Sequence, residues 1–125
     1  MRKIKFSKCP VGKHKGESWA KLQYPQVGEL FTTARGYEWK KHNYYASSVN
    51  EVFEVIEEGK FIGTASLVSV EPRVQVIRGE IWNDTFHDMT LDEWDELLRM
   101  FYKRRNVALL WLTFRWETVP SERRG

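Results

Sequence analysis

The sequence predicts an α+β fold, a small closed or half-closed β-barrel that carries one well-defined amphipathic helix. Three observations predict it: β-rich segments come early in the chain, one strong helical pattern follows them, and a continuous apolar run follows the helix. A chain of 125 residues without repeats or a Pro/Gly/Ser-rich linker has the length of one domain. We therefore expect a single domain over 1–125, with a core over 26–116 between a basic N-terminal segment, 1–25, and a basic tail, 117–125.

Runs of β-branched and aromatic residues predict the strands. The segment 29–34 is such a run, and residues 52–56 and 61–70 are two more, joined by a four-residue turn as a hairpin. Residues 74–82 are expected to add a further strand. Residues 8–18 contain two Gly, one Pro and several polar residues without apolar periodicity, so we expect a basic loop there, next to at most a short N-terminal helix.

The helical pattern begins at Thr90, which forms with Glu93 the Ser/Thr-x-x-Glu capping box. A helix over 91–103 would carry one apolar stripe at i, i+3, i+7 and i+10 to pack on the sheet, formed by Leu91, Trp94, Leu98 and Phe101. The apolar run over 107–114 then predicts a strand that is buried on both faces inside the sheet.

The charge is divided unevenly along the chain. Residues 1–45 carry ten Lys/Arg and three Asp/Glu, residues 46–102 four and twelve, and residues 103–125 six and two, which gives net charges of +7, −8 and +4. If the two basic ends meet in the fold, they form one positive face that attracts a polyanion. The charge pattern therefore favours a nucleic-acid partner.

Composition also bears on compartment and cofactors. No apolar stretch approaches the roughly 20 residues of a membrane span, and no apolar signal region follows the first residues. The only cysteine, Cys9, cannot form an internal disulfide, which suits a reducing compartment. Cys9 and the three histidines lack the spacing of a metal site. We expect a cytoplasmic protein that binds no membrane, no metal and no cofactor.

Residues 36–45 interleave aromatic and basic side chains. Aromatic rings stack on unpaired bases while ammonium groups meet phosphates, so this mixture predicts single-stranded RNA or a nucleotide-like ligand as the partner. Arg35 precedes the segment, and its planar guanidinium suits a phosphate or a carboxylate. The alternatives are rings that only pin a loop to the barrel, and an Arg35 that only forms a surface ion pair. The predicted binding residues are Arg35, Tyr37, Trp39, Lys40, Lys41 and Tyr44.

The order of elements over roughly 27–116 resembles that of the ASCH domains of the PUA-like superfamily. The likeness lies in the hairpin, in the segment Met89-Thr90-Leu91-Asp92-Glu93-Trp94, and in a strand that ends Leu112-Thr113-Phe114. The family signature is Gly-x-Lys-x-x-Glu-x-Arg, and the frame 28–35 keeps Gly28 and Arg35 but has Leu30 for Lys and Thr33 for Glu. The resemblance implies a barrel of five or six strands with a cleft for RNA or nucleotide ligands.

Some ASCH-like proteins are similar to small amidohydrolases that use a Lys, a Thr three residues later and a Glu after the hairpin strand. The resemblance places Thr33 and Glu71 in the last two roles, but Leu30 has no titratable group, so Lys40 or Lys41 would have to supply the amine. Thr33 is otherwise an ordinary strand residue and Glu71 a solvated carboxylate. The rival functions are therefore a hydrolase of RNA or of an acylated nucleoside, and a protein-interaction module that uses the acidic middle segment.

Overall fold

The computed structural model describes residues 1–102 and 108–120. Strands and helices alternate irregularly along this part of the chain, which confirms the predicted α+β class. The elements are β1 (Arg2–Phe6), α1 (Ala20–Gln23), β2 (Leu30–Gly36), α2 (Trp39–Ala46), β3 (Val52–Glu57), β4 (Lys60–Arg73), α3 (Arg78–Asp84), α4 (Leu91–Tyr102) and β5 (Leu109–Thr118). No helix within the described ranges is both long enough and apolar enough to cross a membrane.

The five strands form one curled half-barrel sheet in the order β1-β3-β4-β5-β2. Strand β1 runs parallel to β3, and all other neighbours are antiparallel. Strand β5 lies between β4 and β2, so the interior strand predicted from the last apolar run is confirmed. Its core-facing side chains are at most 1% exposed: Leu110, Leu112, Phe114 and Trp116. The order leaves β1 and β2 as the two edges of the sheet.

The predicted hairpin is the pair β3 and β4. Its turn contains Glu58 and Gly59, both in the left-handed region, with φ angles of 50° and 81°. Two consecutive positive φ angles match a type I′ turn, whose twist suits antiparallel strands and which favours glycine at its second position. Strand β4 continues for 14 residues and pairs with β5 as well as with β3.

Helix α4 covers the core and begins as predicted. The Glu93 amide donates to Thr90 Oγ1 at 3.1 Å and the Thr90 amide donates to Glu93 Oε1 at 3.0 Å, which confirms the capping box. Its buried side chains are Trp94, Leu97 and Leu98. The predicted stripe is wrong at its two ends, since Leu91 and Phe101 are 48% and 50% exposed. They lie in the first and last turns, whereas the middle turns cover the core. The predicted end of this helix at 103 falls outside the described residues.

Two segments fold differently from the prediction, and the expectation of a single clear helix is wrong. The strand expected over 74–82 is wrong from residue 78 onward, where α3 begins. The Glu80 carboxylate stabilises the start of this helix, because it accepts the Ile77 amide at 3.1 Å and binds Arg73 through both oxygens. The aromatic and basic segment, expected to be a loop, forms α2. That helix buries none of its residues, so it carries no apolar stripe by which its sequence would reveal it.

Candidate functional site

The two edge strands meet through one arginine. Arg35 on β2 donates from Nη2 to the carbonyl oxygen of Lys5 on β1 at 2.8 Å, and from Nε to Thr33 Oγ1 at 3.2 Å. Its guanidinium lies 4.8 Å from the centroid of the Phe6 ring, within the range of a cation–π contact. Arg35 therefore bridges the gap between β1 and β2, which we call the seam.

A buried ion pair fills the seam beside Arg35. Lys21 on α1 and Asp84 at the end of α3 lie 2.6 Å apart, Nζ to Oδ1, and their side chains are 6% and 8% exposed. The Lys21 ammonium also donates to the carbonyl oxygen of Thr32, an edge-strand group on β2. It lies 5.2 Å from the Phe6 ring centroid. Two short helices thus supply the charges that close the open side of the half-barrel.

The charges in the seam are not balanced. Burial lowers the pKa of the Lys21 ammonium, and the adjacent Asp84 carboxylate opposes that fall. Burial likewise lowers the pKa of the Arg35 guanidinium, although arginine stays protonated in proteins. Asp84 neutralises Lys21, whereas Arg35 makes no ion pair with any described residue and is held by a hydroxyl and a carbonyl oxygen. The seam therefore holds one positive charge in excess.

A cavity of about 160 Å³ lies at the seam. The exposed residues at its mouth are Lys5, Ser7 and Phe101. Inside it, the polar groups of the seam face an apolar wall that is formed by β1, by the residue before α1 and by α4. The polar side chains are Lys21, Thr33, Arg35 and Asp84, and the buried apolar ones are Phe6, Trp19, Trp94, Leu97 and Leu98.

A second, shallow pocket lies on α2 and shares Arg35 with the seam cavity. We call this pocket the α2 surface, and it is lined by Arg35, Lys40, Lys41, Tyr44 and Tyr45. Tyr45 anchors it to the core, because its ring stacks on Phe53 with centroids 6.2 Å apart. Burial raises the pKa of the Tyr45 phenol. The α2 surface is thus a cationic patch on an aromatic base.

Four of the six predicted binding residues line the α2 surface: Arg35, Lys40, Lys41 and Tyr44. The other two, Tyr37 and Trp39, lie just before and at the start of α2 and are 43% and 63% exposed. At Gly36, the last residue of β2, the Tyr102 ring packs against the backbone, since a Cβ there would be 2.8 Å from Tyr102 Cε1.

The predicted catalytic residues are not brought together. Thr33 pairs with Leu112 and Glu71 with Trp111, so the two lie on opposite faces of the sheet, because neighbouring residues of a strand alternate between its faces. Thr33 is 4% exposed inside the seam cavity, whereas the Glu71 side chain is 62% exposed beside Arg73. Lys40 lines the α2 surface and not the cavity.

Sequence reasoning missed the ion pair of Lys21 and Asp84. A signal was present, because Lys21 stands as a lone charge in the otherwise apolar segment Trp19-Ala20-Lys21-Leu22, and Asp84 is the only charge in 81–86, which also contains Ile81, Trp82 and Phe86. Charged residues in such settings are rarely buried unless they are paired. The sequence around each residue did not indicate that Lys21 and Asp84 would pair with each other.

Within the described ranges, no group of three or more His, Cys, Asp or Glu side chains is arranged so that it could hold a metal ion. Comparisons with known protein families, with curated proteins and with solved structures find no match to this chain. The resemblance to ASCH domains therefore rests on the motif residues and on the order of elements.

Proposed function

We propose that this protein binds single-stranded RNA, or a nucleotide-like ligand, on the α2 surface. The observation that carries the proposal is the convergence of three cations, Arg35, Lys40 and Lys41, with two tyrosines on one pocket. Phosphate groups are met by such cations, and the flat faces of unpaired bases by exposed aromatic rings. The resemblance to ASCH domains, whose cleft is associated with RNA, supports the same ligand class.

The exposed rings of Tyr37 and Trp39 extend the α2 surface. Trp39 is the first residue of α2, directly before Lys40 and Lys41, and at 63% exposure it has no packing role that requires its indole. The Tyr37 ring lies 5.6 Å from the His42 ring in an edge-to-face contact, which orients it along the same helix. These rings can stack on bases whose phosphates lie against the lysines.

A titration of fluorescent single-stranded RNA at two salt concentrations tests the proposal. Each phosphate contact releases counterions, so affinity should fall steeply as salt rises. The variant Lys40→Ala/Lys41→Ala should bind less tightly and show a shallower salt dependence. Lys15→Ala/Arg115→Ala removes the same charge and is the matched control, because both residues are exposed and Arg115 pairs with Leu30 at the opposite end of β2 from Gly36.

The aromatic contribution is measured separately. Trp39→Ala and Tyr37→Ala should each weaken binding by about 1–3 kcal/mol per stacked base while thermal stability stays nearly unchanged. Tyr24→Ala is the control, since Tyr24 is 71% exposed and lines neither the seam cavity nor the α2 surface. Absence of binding at low salt, or binding that is indifferent to salt, would refute the proposed function.

A further inference from the structure

The excess positive charge in the seam lies inside a cavity. Arg35 uses two of the five N–H donors of its guanidinium, for Thr33 Oγ1 and the Lys5 carbonyl, and neither acceptor carries a charge. Arg35 is partly buried, and a charge that is partly removed from water is normally paired in folded proteins, because an isolated one is costly to desolvate. An anionic ligand would therefore complete the seam.

The size of the cavity limits what enters it. A cavity of about 150 Å³ in another protein accepts one benzene molecule. The cavity here, about 160 Å³, therefore holds a group of about six non-hydrogen atoms. A phosphate group is of this size, whereas a nucleoside is too large.

We propose that the seam cavity binds a terminal phosphate, that of a mononucleotide or of the end of an RNA strand, with Arg35 as its principal ligand. This inference rests on the proposed function, since the α2 surface holds the rest of the ligand. Arg35 lines both pockets, so a phosphate in the cavity leaves its nucleoside next to Lys40 and Tyr44.

A terminal phosphate fits better than an internal one for two reasons. An internal phosphodiester has a sugar on each side, and both would have to follow it into a cavity that holds neither. A terminal phosphomonoester enters with one sugar behind it and carries a charge of about −1.5 to −2 at neutral pH. A planar guanidinium binds such a group through two parallel hydrogen bonds.

The test compares oligoribonucleotides of one sequence that differ only at their ends. RNA labelled at the 3′ end carries a 5′-phosphate or a 5′-hydroxyl, and RNA labelled at the 5′ end carries a 3′-phosphate or a 3′-hydroxyl. Uridine monophosphate and uridine form a further pair, measured by calorimetry. We expect at least one phosphorylated form to bind about ten- to a hundredfold more tightly than its hydroxyl counterpart, the worth of one or two charge-assisted hydrogen bonds.

Variants assign that preference to the seam. Arg35→Gln should abolish the preference for a terminal phosphate. Lys40→Ala/Lys41→Ala should weaken the binding of both members of each pair equally, so the preference should remain. Thr33→Val is the second variant, needed if Arg35→Gln unfolds. It removes the hydroxyl that accepts from Arg35 Nε and leaves the strand and the charge in place, so it should reduce the preference.

The outcomes separate the inference from the proposed function. Salt-dependent RNA binding with equal affinities within every pair overturns the inference alone. Failure of all RNA to bind overturns the proposed function, and the nucleotide pair then decides the inference: tighter binding of the monophosphate supports it, and equal or absent binding overturns it. A preference that survives both Arg35→Gln and Thr33→Val also overturns it, because the phosphate would then bind elsewhere.

Discussion

Removing one member of the buried ion pair should destabilise the fold strongly. In Lys21→Met the Asp84 carboxylate, 8% exposed, loses its counter-charge, and the Thr32 carbonyl loses its donor. Breaking a buried ion pair in this way costs about 3–5 kcal/mol. The total stability of a domain is about 5–15 kcal/mol, so the loss is a large part of it. Urea unfolding followed by circular dichroism measures the change.

The double variant Lys21→Met/Asp84→Leu distinguishes a coupled pair from two independent losses. It leaves no unpaired charge from this pair, so it should be more stable than either single variant. It should not fully recover, because Asp84 also offsets part of the positive charge of Arg35. The exposed pair of Lys13 and Asp88, with side chains 71% and 45% exposed, gives the control. Lys13→Met should leave the free energy of unfolding nearly unchanged, because solvent screens an exposed ion pair.

Similar, small effects of Lys21→Met and Lys13→Met would refute this reasoning. Additive effects of the two single changes in the double variant would do the same, since residues in direct contact normally show interaction free energies of about 0.5–3 kcal/mol. Either result would mean that water screens the charges of Lys21 and Asp84 in the seam.

Two further predictions concern α4 and the loop that packs at its start. Trp94→Ala removes an indole that is 7% exposed and should lower the free energy of unfolding by about 3–5 kcal/mol. Thr90→Ala removes only the cap and should lower it by about 1 kcal/mol. Equal, small losses in chemical denaturation would mean that the buried face of α4 lies in solvent. His14 lies 2.7 Å from Asp88 and 2.5 Å from Glu17, and these hydrogen bonds raise the pKa of His14 above its ordinary 6.5. The Lys13 ammonium, followed by His14, lowers the pKa of Asp88 to about 2. The wild type should be more stable than His14→Gln, with the full difference below pH 6.5, and the difference should be lost as pH rises through the raised pKa of His14. The contribution of Asp88 should be lost only as pH falls toward 2. A difference in stability that does not change with pH contradicts this prediction.

The elements that could be predicted from the sequence are those with a strong local pattern. The capping box of Thr90 and Glu93, the hairpin turn at Gly59 and the apolar run of β5 each act over a few residues. Helix α2 lacks such a signal because none of its residues is fully buried and only tyrosines near its end, Tyr44 and Tyr45, contact the core at Phe53. Helix α3 depends on Glu80, which pairs with Arg73 outside the helix. Contacts with residues outside each helix, and not intrinsic helix propensity, determine that these two segments are helical.

The candidate site could be predicted only in the part that is continuous in sequence. Arg35, Lys40 and Lys41 stand within seven residues, so their convergence follows from one strand end and the helix after it. Lys21 and Asp84 are separated by 63 residues and meet because α1 and α3 both fill the open side of the half-barrel. The part of the site inside the seam cavity could therefore be identified only from the three-dimensional structure.

Arg35 can bind an anion while it connects β1 to β2. Its bond to Lys5 across the seam and its bond to Thr33 on its own strand leave three N–H donors of the guanidinium, so a phosphate can be bound without opening the contact between β1 and β2. A bound anion would also give Arg35 an ionic partner, which it lacks among the described residues, so binding and folding favour each other. A ligand at 100 times its Kd adds about 2.7 kcal/mol to the stability of the state that binds it. Because Arg35 connects β1 to β2, a phosphate bound to it would stabilise the seam more directly than any other part of the fold.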